Sequence, residues 1–67
     1  MSEASILAHI LMIKSRLYEI YEEITHKHDS PTIENLIKIL QGKFHPHKKE
    51  VFDLETDYRY YVKQFEV

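Results

Sequence analysis

The chain contains no cysteine, one glycine and two prolines in 67 residues. Without cysteine there are no disulfides and no thiolate metal sites, and the absence fits a reducing compartment. A single glycine excludes the glycine-rich loops that cradle phosphates, and no His-Glu-x-x-His, calcium-loop or nucleophile-elbow pattern occurs. Long apolar runs are missing too. The longest, Ile6 to Ile13, is broken by His9 and falls far short of the ~20 residues needed to cross a bilayer. Glu3 stands where a signal peptide would carry basic residues and no small-residue cleavage site follows, so the expected location is the cytoplasm. Positive charge is not in excess either: 9 Lys and Arg against 11 Asp and Glu give a formal net charge of -2, which is not the balance of a surface built throughout to hold phosphates.

What is there is a short, apolar-rich chain. A length of 67 residues allows one helical domain over 1–67, and a chain of this size buries only ~60% of its unfolded surface. Its core stands near break-even against conformational entropy, and small domains offset this with disulfides, metals, oligomerisation or very regular helix packing. With disulfides excluded and 43% hydrophobic residues present, association with another chain is the expected supplement.

The few breakers divide the chain into three helices, at about 3–27, 31–41 and 46–65. Ser30-Pro31 reads as an N-cap followed by proline at the first helical position, where its missing N–H is harmless. Gly42 reads as the residue just past a helix C-terminus, and His45-Pro46 as the next start. In the first helix Ile6, Ile10, Ile13, Leu17, Ile20 and Ile24 recur at spacings of four and three, a heptad seam. Beside it Leu7, Leu11, Tyr18 and Tyr21 form a second stripe interrupted only by Lys14, so the apolar face spans roughly 150°. The third helix repeats the seam with Val51, Leu54, Tyr58, Tyr61 and Phe65, widened by Phe52 and Val62, with Glu55 and Arg59 spaced as a solvated ion pair. The middle helix offers Ile33, Leu36, Ile37, Ile39 and Leu40. At ~1.5 Å per residue it is too short to shield more than half of the first. The predicted fold is therefore all-α: a long helix, a short middle helix and a long third helix in a helical hairpin or bundle, expected to dimerise.

Residues with the chemistry for a site are few. Ser5 and Ser15 lie on the first helix without a base, so no catalytic residue is assigned and no enzyme is expected. His26-Lys27-His28 closes the first helix and His45-Pro46-His47 opens the third. The two His-x-His pairs flank a helix of ~16 Å and do not converge on one metal within a chain. The first group suits a helix C-terminus, where cations are favoured. Glu23 and His26 have the Glu-x-x-His spacing of di-iron bundles but fall on the polar face. No metal and no cofactor is expected. Lys43, His45, His47, Lys48 and Lys49 form a basic cluster around the second turn, with Lys38 nearby. Lys48 and Lys49 fall in a first helical turn, where the macrodipole disfavours cations. Tyr60 lies off the seam beside Arg59, a hot-spot composition.

The segment Ser30 to Leu40, SPTIENLIKIL, resembles over its eleven residues the fourth helix of Cro-repressor-type helix-turn-helix domains. The segment before it is one long heptad helix in place of the two short helices and tight turn of such domains. The helical hairpin resembles that of small sporulation aspartyl-phosphate phosphatases, without their Ser-Gln-Glu-Leu-Asp signature. The sequence thus points to a non-enzymatic regulatory or adaptor protein that binds itself, as a homodimer, or a larger protein. Leu7, Leu11, Tyr18, Tyr21 and Tyr60 are the candidate contacts, and no membrane partner is expected. The alternative is a DNA-binding transcriptional regulator using Lys43, His45, His47, Lys48 and Lys49, to be separated from the first by salt dependence of binding.

Overall fold

The computed structural model describes residues 2–65. Three helices, α1 (Glu3–Thr25), α2 (Ile33–Gln41) and α3 (Lys48–Phe65), account for all regular structure among the described residues, so the chain is all-α as expected. The helices start and stop where side chains satisfy the free backbone groups. Ser2 caps α1, its hydroxyl accepting from the Ser5 N–H at 3.2 Å. At the other end Thr25 stops the helix two residues earlier than the periodicity predicts. Its hydroxyl donates to the Tyr21 carbonyl at 2.7 Å and accepts from the Lys27 N–H at 3.2 Å, and His26 turns left-handed at φ 58, ψ 25. His26, Lys27 and His28 therefore lie past the helix end and not in its last turn.

The starts of α2 and α3 each fall two residues later than expected, while α2 ends at Gln41 as predicted. The N-cap of α2 is Thr32, whose hydroxyl accepts from the Asn35 N–H at 3.3 Å, and Ser30-Pro31 belongs to the preceding loop. Gly42 closes α2 with right-handed angles, φ -81 and ψ -7, and donates to the Lys38 carbonyl at 3.1 Å. The freedom of glycine is not used there, while the left-handed position is held by a histidine. The start of α3 is built by His45. Its Nδ1 accepts from the His47 N–H at 3.1 Å, which places the ring proton on Nε2, 2.8 Å from the Leu40 carbonyl. The His47 carbonyl then accepts the first helical bond of α3, from Val51 at 2.9 Å.

The core is one cluster: Ile13, Leu17, Ile20 and Tyr21 of α1, Leu36, Ile37 and Leu40 of α2, and Val51 of α3. Leu17, Leu36 and Leu40 are wholly enclosed. Truncating a leucine in such a position costs about 2–5 kcal/mol, against a total of roughly 3–10 kcal/mol for a domain of this size. The third helix is less immersed than its seam suggests: Leu54, Tyr58 and Tyr61 are half-buried against the cluster, and Phe52 and Phe65 are exposed.

α3 runs antiparallel to α1. At one end Arg16 holds Glu50 in a two-pronged ion pair, Nε to Oε2 at 2.6 Å and Nη2 to Oε1 at 2.9 Å, and His47 meets Glu23. At the other end the His9 ring stacks on Tyr61, centroids 4.6 Å apart. α2 crosses this hairpin beside the C-terminal half of α1 and is tied to α3 by Arg59, which bridges Glu34 at 3.3 Å and Glu55 at 3.1 Å. Nine residues of helix reach only about 14 Å, so the N-terminal half of α1 extends beyond the cover that α2 provides.

Candidate partner-binding face

The uncovered stretch of α1 runs from Glu3 to Ser15. At ~100° per residue, Leu7 and Leu11 project roughly 130° round from the line of Ile6, Ile13, Leu17 and Ile20 that enters the interior. They are 50% and 58% exposed, whereas Ile6 and Ile13 are buried. Ala4, Ala8, Lys14 and Ser15 around them are exposed and Ile10 is half-buried. The result is an apolar strip on a helix surface, edged by Glu3 at its start and Lys14 at its end.

Of the five residues expected to contact a partner, the structure brings Leu7 and Leu11 together on this strip and separates the rest from it. Tyr21 is 2% exposed, and its hydroxyl donates to Asp29 Oδ1 at 2.6 Å. Proximity of that carboxylate raises the phenol above its ordinary pKa, because ionisation would break the bond and set two negative charges together. Tyr18 is half-buried and its hydroxyl donates to the Pro31 carbonyl. The expectation that both tyrosines stand on an open face is corrected: the loop after α1 folds back along them and supplies the polar partners that a buried phenol requires. Periodicity could not reveal this, because it carries no information on the path of a loop. Tyr60 is 57% exposed on the outer side of α3, edge-on to Tyr61 at 5.2 Å, and is remote in sequence and face from Leu7.

The structure also exposes apolar side chains that the pattern did not single out. Met12 stands 71% exposed on the opposite flank of α1, above an open groove of about 250 Å³ between α1 and α3 that His9, Leu54 and Tyr61 help to line. The Phe44 ring stands free on the second turn, 5.9 Å from the Lys48 ammonium.

The basic cluster is largely taken up in building that turn. The Lys48 ammonium donates to the carbonyls of Gln41 at 2.5 Å and Lys43 at 3.3 Å. A lysine that looked misplaced at the start of α3 thus neutralises the C-terminus of α2. His45 is engaged with Leu40 and His47, and His47 with Glu23 and Glu50. Lys43 and Lys49 are exposed and, among the described residues, their side chains make no such contact. The second turn returns to α1, where the His47 ring meets Glu23. Among the described residues no three His, Asp or Glu side chains are grouped to hold a metal ion, and no helix is long and apolar enough to cross a membrane.

Around the base of α3, Arg16 pairs with Glu19 and Glu50, and the His47 ring meets the carboxylates of Glu23 and Glu50. The Arg16 guanidinium holds the Glu50 carboxyl below the ordinary carboxylate range, with a further pull from His47, and burial opposes this. This network clamps the start of α3 to α1. Comparison with protein-family models, curated proteins and solved structures finds no match in any of the three.

Proposed function

We propose that the chain is a non-catalytic regulatory or adaptor protein that acts by binding another polypeptide through the N-terminal half of α1. The observation that carries the reading is the exposure of Leu7 and Leu11, 50% and 58%, in an apolar strip that α2 is too short to cover. Contiguous exposed apolar surface on a small domain marks an interaction site, and a 67-residue chain without cysteine has reason to gain stability by association. The lack of cysteine supports a reducing, cytoplasmic setting.

The test is a Leu7→Ser/Leu11→Ser double variant. Both side chains are largely outside the core, so circular dichroism should report an intact helical fold. Association, read by sedimentation and by affinity capture under native conditions, should fall at least tenfold. Undiminished association of the folded variant would contradict the reading.

A further inference from the structure

Resting on the reading that the strip on α1 is a docking face, we propose that its occupant is a second copy of the chain. The two α1 helices lie antiparallel, so that Leu7 of each faces Leu11 of the other and Glu3 of each pairs with Lys14 of the other.

The strip is complementary to itself, as a two-fold interface must be. Glu3, Leu7, Ile10 and Lys14 follow one another at spacings of four, three and four, so they form one line along α1 with an acid at its first position and a base at its last. A parallel copy would set the Glu3–Lys14 flank of each helix against the Ala4–Ser15 flank of the other and leave the charges of Glu3 and Lys14 without partners. An antiparallel copy sets acid against base at both ends, because in antiparallel helix pairs the same flank of each helix faces its counterpart. The second line, Ala4, Ala8, Leu11 and Ser15, has the same spacing and is built of small residues except at Leu11. On this flank the backbones can approach closely. Leu7 on the first line and Leu11 on the second meet each other's counterparts at the centre, so the Glu3–Lys14, Leu7–Leu11 and Ala4–Ser15 pairings all place the two-fold axis near residue 9.

The length fits as well. Glu3 to Lys14 spans about 18 Å of helix, which is the stretch left open before Tyr18 and the start of α2 close over α1. The partner helix would begin where α2 leaves off, and the two hairpins of α1 and α3 would together form a four-helix arrangement over that length. Glu3, Ala4, Ala8 and Lys14 are exposed in the single chain, and among the described residues the side chains of Glu3 and Lys14 form no ion pair within it.

The experiment is charge reversal with restoration, read as the dimer dissociation constant by sedimentation equilibrium, with circular dichroism confirming the fold of each variant. Each dimer contains the Glu3 to Lys14 pair twice, so Glu3→Lys or Lys14→Glu alone should weaken dimerisation about tenfold. The double reversal, Glu3→Lys with Lys14→Glu, should return it to within threefold of the wild type. Ala8→Arg, which places a long charged side chain on the close-approach flank and touches no core residue, should abolish the dimer and leave the monomer folded. Three results overturn the proposal: a wild type that is monomeric at millimolar concentration, a dimer indifferent to Ala8→Arg, or single reversals that the double reversal does not repair. Any of these combined with loss of a different protein partner in the Leu7→Ser/Leu11→Ser variant would leave the docking face standing and reject only self-association.

Discussion

At the scale of single residues, backbone conformation and residue type are mismatched in two places. His26 occupies a left-handed C-cap, φ 58, a region that disfavours side chains with a Cβ by roughly 1–2 kcal/mol. Gly42 occupies a right-handed C-cap, φ -81, where glycine only adds entropy to the unfolded chain. An added Cβ at Gly42 would stand 3.4 Å from the Lys38 carbonyl oxygen and 3.7 Å from that of Ile39, ordinary contacts. His26→Gly is therefore expected to stabilise the fold by about 1 kcal/mol, and Gly42→Ala to be neutral or stabilising by up to ~1 kcal/mol. Chemical denaturation of the two variants checks both signs; a clear loss of stability in either would show that the backbone angles are not as described. The sequence invites the opposite assignment, because glycine is the usual left-handed terminator. The hydrogen bonds of Thr25 end α1 at a position where the chain carries histidine.

At the scale of helices, the seams, the approximate lengths and the all-α class were legible because each rests on a period of 3.5 residues sustained over several turns. The boundaries at Glu3, Gln41 and Phe65 were legible as well, but the other three moved by two residues; at the start of α2, Thr32 captures the Asn35 N–H two residues beyond the Ser30-Pro31 start that composition favours. The open strip was half legible. Its breadth follows from counting apolar positions, so Leu7 and Leu11 were found; Tyr18 and Tyr21 were assigned to it because nothing in their spacing announces the return of the loop to Asp29 and Pro31. The link between α1 and α3 through Arg16 and Glu50 was equally hidden, as it joins residues 34 apart. That link yields an acid prediction. Glu50 has its pKa lowered in the folded chain, so it contributes stability above the ordinary glutamate value of ~4.3 that disappears as pH falls through the folded value. The pair is about 40% exposed, and its contribution is correspondingly modest. Melting temperature should decline below about pH 4.5 more steeply in the wild type than in Glu50→Gln, and equal acid limbs would remove Glu50 from the account.

For the molecule as a whole, the three helices form one core centred on the C-terminal half of α1, and the remaining half of that helix is supported on one side only. The central claim is that the chain does not itself enclose Leu7 and Leu11. The most direct measurement is the unfolding free energy of Leu7→Ser/Leu11→Ser against wild type at high dilution, where intermolecular contacts are absent. With both side chains at or above 50% exposure, the account predicts a loss of no more than about 1 kcal/mol, in the range of surface substitutions at two sites. A loss of about 4 kcal/mol or more, the mark of two leucines removed from an interior, would contradict it.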